Sequence, residues 1–127
     1  MKVAISGSRT FTDREVVERV IDRLIERQDF IIVGDAPHGV DRMVMEYCYH
    51  REDDLYDWQV FHADWKKYGP KRAGHLRNAW MVHDADALIA IFAPGEPTPG
   101  TSNALEQARK KGIPTAMYHD GTWEGGL

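Results

Sequence analysis

Four segments of the sequence combine glycine with hydroxyl, carboxylate or basic side chains, and each of them follows a short apolar run. They are SGSRTF at 6–11, GDAPHGVD at 34–41, ADWKKYGPKRAGHLRN at 63–78 and APGEPTPGTSN at 93–103. Glycine beside Ser, Thr or Asp at the start of a helix leaves backbone amides free, and the positive end of the helix attracts an anion. This spacing of residue types predicts contacts with a phosphate group.

The third segment supplies the positive charge. Its cations are Lys66, Lys67, Lys71, Arg72 and Arg77. The whole chain carries a formal net charge of −4, which argues against general electrostatic binding of nucleic acid. A basic cluster in an otherwise acidic chain favours a small phosphate-bearing ligand over a duplex.

Several other kinds of site lack their sequence signatures. The six histidines show no metal-binding spacing, and neither the G-x-x-x-x-G-K-[ST] phosphate loop nor the G-x-S-x-G nucleophile elbow occurs. We therefore expect no metal site and no cofactor. The single cysteine and the lack of a long apolar run predict a soluble cytoplasmic protein with no membrane partner.

Short apolar runs alternate with amphipathic segments along the chain. The expected strands are KVAISG at 2–7, FIIVG at 30–34, WQVFHA at 58–63, ALIAIFA at 87–93 and IPTAMYH at 113–119. This alternation predicts an α/β fold, a Rossmann-like three-layer sandwich around a mostly parallel sheet of about five strands. At 127 residues the chain is expected to form one domain over 1–127, with 119–127 as a loosely ordered tail. Ligands of such folds bind beyond the carboxyl ends of the strands.

The helix expected at 71–85 carries Leu76, Ala79, Trp80 and His83 on one side. The last helix is expected at 102–112, with basic residues in its final turn.

The motifs GSRTFTD at 7–13, GDAPHGVDR at 34–42, ADWKKYGPKRAGHLRN at 63–78 and PGTSNALEQARKKGIP at 99–114 resemble the SLOG superfamily, specifically its YspA-like branch related to YpsA. The resemblance implies a Rossmannoid fold whose strand-exit loops bind nucleotides or their derivatives. The superfamily includes enzymes that release a base from a nucleoside monophosphate, DNA-processing proteins and sensor domains. Dimers are usual among such relatives, so a homodimer is an expected partner state.

The loop positions and the resemblance together give a set of candidate ligand-binding residues. They are Gly7, Ser8, Arg9, Gly34, Asp35, Gly39, Asp41, Arg72, Arg77, Asn78, Gly100, Thr101, Ser102 and Asn103. Asp35, Asp41 and Arg77 are the candidate catalytic residues.

The cytokinin-activating LOG enzymes of the superfamily carry P-G-G-x-G-T-x-x-E and an Arg-Lys pair. Arg77-Asn78 resembles that pair with its lysine replaced, and Gly100-Thr101 matches the G-T. Ala104 stands where the glutamate is expected. The nearest acid, Glu106, lies about 200° further round a helix, where it would form a capping box with Asn103 as N-cap.

Three functions remain open from the sequence. The preferred one is binding of a nucleotide derivative, in which Arg77→Ala abolishes binding without unfolding the protein. The second is N-glycosidic hydrolysis by a phosphoribohydrolase-like enzyme, which needs Asp35 or Asp41 in place of the missing glutamate. The third, less expected, is a DNA-processing accessory that uses the basic cluster at 66–77 and binds DNA in a salt-dependent way.

Overall fold

In the computed structural model, which describes residues 1–51, 55–95 and 97–127, four helices cover one six-stranded sheet. The elements in chain order are β1 (Lys2–Gly7), α1 (Arg14–Leu24), β2 (Phe30–Gly34), α2 (Val40–His50), β3 (Asp57–Phe61), α3 (Trp65–Asp84), β4 (Ala87–Ile91), α4 (Pro99–Lys111), β5 (Thr115–His119) and β6 (Thr122–Gly125). The strand order is β3-β2-β1-β4-β5-β6, and every neighbouring pair is parallel except β5-β6. The predicted Rossmann-like α/β fold is confirmed.

The sheet is apolar on both faces because its central strands are covered on both sides. On one face Ile5 and Val33 pack with residues of α1 and α2. On the other face Ile32 and Leu88 pack with residues of α3 and α4. All five residues of β4 are buried, as expected for a strand in the interior of a parallel sheet.

The winding direction of the sheet reverses at β1. This strand pairs with β2 on one side and with β4 on the other, so the connections that leave β1 and β4 diverge to opposite faces. The reversal opens a crevice at the carboxyl ends of these two strands, which is where ligands bind in doubly wound sheets.

The third helix begins earlier than the sequence predicts. It starts at Trp65 rather than at 71, because Asp64 accepts a hydrogen bond from the Lys67 amide (3.1 Å) and caps the first turn. Gly69 interrupts the helix with φ 76° and ψ 169°, immediately before Pro70. This break turns the first helical turn away from the axis of the rest of α3.

The buried face of α3 also differs from the prediction. Trp80 and His83 are exposed, and the buried positions are Ala73, Arg77, Asn78, Met81 and Val82. These follow helical spacing, but two of the five are polar, so a search for an apolar stripe selects the wrong face.

Two predictions about the C-terminal part are wrong. The helix expected at 102–112 begins at Pro99 with Thr98 before it, so Asn103 lies inside α4 and is not its N-cap. The expected loose tail forms β6, which extends the sheet antiparallel to β5 through the turn at Asp120 and Gly121. No helix in the described part of the chain is both long and apolar enough to cross a bilayer.

Lys111 ties the end of α4 to the end of α3. Its Nζ donates hydrogen bonds to the carbonyl oxygens of Val82 (2.9 Å), His83 (2.7 Å) and Ala85 (2.9 Å). Replacing Lys111 with methionine should lower the free energy of unfolding by about 2 kcal/mol, because a charged donor and its favourable position at a helix C-terminus are both lost. Urea denaturation would measure the change. Lys110→Met is the matched control, since Lys110 forms only an exposed pair with Glu106 and should cost less than about 0.5 kcal/mol.

Candidate ligand-binding site

A cavity of about 480 Å³ lies at the crevice between β1 and β4, enclosed by α3 and the start of α4. Its lining is Ser6, Gly7, Arg9, Thr10, Ala36, Asp41, Pro70, Lys71, Gly74, His75, Arg77, Asn78, Thr98, Pro99, Gly100 and Thr101. Seven buried polar side chains occur in residues 1–51, 55–95 and 97–127, and five of them line this cavity. Buried polar groups are costly unless they are paired, so their concentration here marks the cavity as the candidate site.

Arg77 is the buried cation of the cavity. It projects from the buried face of α3, is 8% exposed, and donates from Nη1 to Asp35 Oδ1 at 2.7 Å. Its guanidinium also lies over the Trp65 ring, with Cζ 5.4 Å from the ring centroid. Its Nε is buried and has no hydrogen-bond partner in the described part of the chain. A buried cation beside a cavity is suited to an anionic ligand.

Asp35 holds Arg77 in place from outside the cavity. Its Oδ2 accepts from the Ala63 amide and from the Trp65 indole, both at 3.1 Å. Burial works to raise the pKa of Asp35, but the hydrogen bonds from Arg77, Ala63 and Trp65 outweigh it and hold the pKa below its usual value. Asp35 is therefore an ionised anchor for the guanidinium.

Asp41 is a buried carboxyl group in the cavity lining. It is 4% exposed, lies in the first turn of α2, and accepts a hydrogen bond from the Ala36 amide at 3.2 Å. Burial raises its pKa from 3.8 to about 6, against the opposing effects of the Arg77 charge and the Ala36 amide. A carboxyl group with this pKa exchanges protons close to neutral pH.

Gly34 makes room for Asp41 and Arg77 at the end of β2. A Cβ at this position would lie 2.7 Å from both Arg77 Cζ and Asp41 Oδ2. Only glycine lets the two side chains meet over the strand.

The start of α4 closes the cavity opposite α3. Asn78 fixes its position, because its Nδ2 donates to the Gly100 carbonyl oxygen at 3.0 Å and to Asn103 Oδ1 at 3.3 Å. The first amides of a helix have no partner within the helix, and the preceding residue, Thr98, makes no side-chain capping bond to them. Gly100 and Thr101 thus present uncapped amides beside the cavity.

Twelve of the fourteen predicted ligand-binding residues fall into two groups. Those that line the cavity are Gly7, Arg9, Asp41, Arg77, Asn78, Gly100 and Thr101. Ser8, Gly34, Asp35, Gly39 and Asn103 lie behind the lining, where they hold the residues in front of them. The structure thus gives Asp35, a predicted catalytic residue, no place in the cavity wall.

Arg72 and Ser102, two further predicted ligand-binding residues, lie away from the cavity. Arg72 is exposed, with its guanidinium over Tyr68 and Cζ 5.2 Å from the ring centroid, and its neighbour Lys71 lies at the cavity instead. Ser102 faces the opposite side of α4, in a more open depression bordered by Glu106 and His119. That depression has no buried polar side chain.

The sequence analysis missed several lining residues, among them Thr98, His75 and Lys71. Threonine followed by proline is a typical start of a helix, so Thr98-Pro99 carried a signal that would have placed the first turn of α4 correctly. His75 lies three residues before Asn78 on the same helical face, so the spacing along α3 carried a signal for it as well. The basic cluster at 66–77 is also not one surface, since Arg77 is buried.

Because the pKa of Asp41 is raised, we expect its contribution to the free energy of unfolding to depend on pH. A carboxyl group whose pKa is higher in the folded than in the unfolded protein stabilises the fold at low pH, and this stabilisation is lost as pH rises through the folded pKa. For a shift from 3.8 to about 6, the loss between pH 4 and 7 is about 2 kcal/mol. The free energy of unfolding of Asp41→Asn, relative to that of the unmodified protein, should therefore rise by that amount over this range.

Chemical denaturation at several pH values measures this difference. Asp13→Asn is the matched control, since Asp13 is an exposed helix cap and asparagine caps equally well. A constant difference between Asp41→Asn and the unmodified protein from pH 4 to 7 would contradict the assignment.

In the described part of the chain no cluster of three or more His, Cys, Asp or Glu residues could hold a metal ion. The family model described as YAcAr, the YspA, cpYpsA-related SLOG family, matches residues 1–68. These residues include the loops after β1 and β2, with Arg9, Asp35 and Asp41. Searches of curated proteins and of solved structures found no match to the chain.

Proposed function

Because the chain belongs to the YspA, cpYpsA-related SLOG family, whose members have nucleotide-related functions, we propose that its cavity binds a nucleotide or a nucleotide derivative. The observation that carries the proposal is the buried Arg77, whose Nε has no partner while its side chain lines a cavity. A phosphate group in the cavity would lie beside this buried positive charge. Binding without turnover would make the protein a sensor or a sequestering module.

The two sides of the cavity offer complementary contacts to such a ligand. The uncapped amides at the start of α4, together with Thr101, suit a phosphate group, since helix N-termini bind anions through free amides and a positive dipole. On the opposite wall Pro70, Gly74 and His75 lie between the charges of Lys71 and Arg77 and offer surface for the remainder of the molecule. The volume of about 480 Å³ is within the range of small-molecule sites.

The first experiment is mass spectrometry of small molecules released by denaturing the gently purified protein. The emptied protein is then titrated calorimetrically with a panel of nucleoside mono-, di- and triphosphates, and the solutions are analysed afterwards. A nucleotide that binds and is recovered intact supports the binding function. The absence of any co-purified nucleotide together with no heat across the panel would contradict it.

Lys71 and Arg72 provide a matched pair of variants for the same titration. Both are exposed neighbours with the same charge, but only Lys71 lines the cavity. Lys71→Ala should weaken nucleotide binding roughly 5- to 10-fold, the loss of about one charge-assisted contact at the mouth of the cavity. Arg72→Ala should change the affinity less than about twofold. An equal loss of nucleotide affinity in the two variants would show that the affinity depends only on the overall charge of this surface and not on a contact with Lys71.

A second candidate function is hydrolysis of an N-glycosidic bond, and Asp41 is the observation that favours it. It is the only carboxylate in the cavity lining of the described residues, and its pKa of about 6 suits a group that takes up and releases a proton near neutral pH. In this reaction water adds to the anomeric carbon, the bond to the base breaks, and the proton from water is transferred by way of Asp41 to the leaving base.

The nucleotide panel also separates these two functions. Hydrolysis would yield free base and ribose phosphate, and Asp41→Asn would abolish the yield while nucleotide affinity persists. If nucleotides of the panel bind but none is cleaved, the hydrolytic function is contradicted and the binding function is not.

A further inference from the structure

A chain of hydroxyl groups joins the loop after β1 to the start of α4. Ser8 Oγ lies 3.0 Å from Thr98 Oγ1, and Thr98 Oγ1 lies 3.3 Å from Thr101 Oγ1. Ser8 itself is 1% exposed, and its Oγ accepts a hydrogen bond from the Ala93 amide at 2.9 Å. Ser8 is thus fixed by the chain around it, and it in turn fixes the hydroxyl of Thr98.

Thr98 has the position and the backbone of a helix cap. It directly precedes Pro99, the first residue of α4, and its φ of −73° and ψ of 141° are typical of an N-cap. A threonine in this place ordinarily turns its hydroxyl oxygen toward the amide of the second or third helical residue, here Gly100 or Thr101. No such hydrogen bond is present.

The side chain of Thr98 can therefore do one of two things. In the structure its hydroxyl bonds to the Ser8 and Thr101 hydroxyls. The alternative is a rotamer in which it accepts from the amides of the helix that it precedes. A capping hydroxyl would occupy the donors that face the cavity, so the helix would satisfy its own amides and an anion would have to displace the hydroxyl. The partner of Thr98 decides which arrangement prevails.

We propose that Ser8 is a positioning residue, which holds the Thr98 hydroxyl away from the first-turn amides of α4 and so leaves these amides open at the cavity. The effect on ligand binding rests on the proposed function. The orientation of the Thr98 hydroxyl by Ser8 does not depend on any ligand. Ser8 does not line the cavity, and its effect on ligand binding is exerted through Thr98.

The test compares Ser8→Ala with the double variant Ser8→Ala, Thr98→Val. Both lose the acceptor for the Ala93 amide, so both share the destabilisation that follows. Only the single variant retains a hydroxyl that can cap α4. Amide hydrogen exchange, measured by NMR on the protein without added ligand, should be about fivefold slower at Gly100 or Thr101 in the single variant than in the double one, as expected for a newly formed cap.

Equal exchange rates at both amides in the two variants would overturn the proposal. If Ser8→Ala does not fold, Ser8→Cys with and without Thr98→Val makes the same comparison, because a thiol is a much weaker hydrogen-bond partner that keeps most of the packing volume.

Inorganic phosphate then tests the proposed function separately, by its effect on the amide resonances of the same variants. Phosphate should shift the Gly100 and Thr101 resonances of the unmodified protein, and its affinity should be about fivefold lower in Ser8→Ala than in the double variant. Slowed exchange without any phosphate response in the unmodified protein would support the role of Ser8 and count against the anion site. A phosphate response in the unmodified protein, without slowed exchange in Ser8→Ala, would support the anion site and count against the role of Ser8.

Discussion

Replacing Arg77 with methionine should reduce nucleotide affinity at least about 100-fold and also lower the free energy of unfolding by about 3–5 kcal/mol. The binding loss follows from removal of the buried cation that lines the cavity. The stability loss follows because Asp35, whose side chain is 12% exposed, and the buried Asp41 would both lose their positive neighbour. The sequence alone suggested that Arg77→Ala would abolish binding without unfolding the protein, and the buried pair with Asp35 adds a loss of stability to that expectation.

Three comparisons separate the contributions of Arg77. Adding Asp35→Asn to Arg77→Met should recover part of the stability but none of the binding, because an unpaired buried carboxylate is removed and no cation is restored. The stability deficit of Arg77→Met should shrink as pH falls toward 4, where the unpaired carboxyl groups become protonated. Arg77→Lys retains the charge without the fork of donors and should lose less stability. Urea denaturation and calorimetric titration measure both effects, and unchanged nucleotide affinity in a folded Arg77→Met protein would contradict the site.

The second large effect is expected at Gly39, the residue before α2. Its φ of 77° and ψ of −144° lie in a region that is nearly restricted to glycine, and a Cβ there would collide with the Ser8 carbonyl oxygen and the Arg9 backbone. The Ser8 carbonyl oxygen also accepts the Val40 amide at 3.2 Å, so the two loops cannot separate freely. Gly39→Ala should therefore lower the free energy of unfolding by about 3 kcal/mol or more.

Thermal denaturation of Gly39→Ala beside Gly126→Ala tests this expectation. A Cβ at Gly126 would meet no atom within 4 Å, and its φ is not positive, so the control should melt near the unmodified protein. A Gly39→Ala protein as stable as the control would mean that the contact between the first and second strand-exit loops is not tight.

The fold was predictable because its signals are local. Buried parallel strands such as β4 are continuous apolar runs, and α1 carries an uninterrupted apolar stripe with Val17 and Ile21 at its centre. The β6 strand was not predictable in this way, because Thr122–Gly125 is exposed throughout and is held by pairing with β5 rather than by apolar burial.

The candidate site was predictable in its location but not in the roles of its residues. Glycine and aspartate after the strands indicate the loops, but they do not tell a lining group such as Asp41 from a supporting one such as Asp35. That distinction depends on where Trp65 and Arg77 lie in space, and the break at Gly69 sets their relative position. By contrast, regular helical spacing from Pro70 onward already places Lys71, seven residues before Asn78, on the face that meets the cavity and Arg72 away from it.

The central place of β1 in the sheet has a consequence for cotranslational folding. Val3 pairs with Ala87, and a ribosome adds about 5–20 residues per second, so β1 and β2 wait on the order of several seconds for β4 to be translated. During that interval Ala4 and Ile32 face water, because α3 and α4, which cover them, are translated later. The nascent chain is therefore expected to pass through a stage in which one apolar face of the β1–β2 pair is not yet covered by α3 and α4.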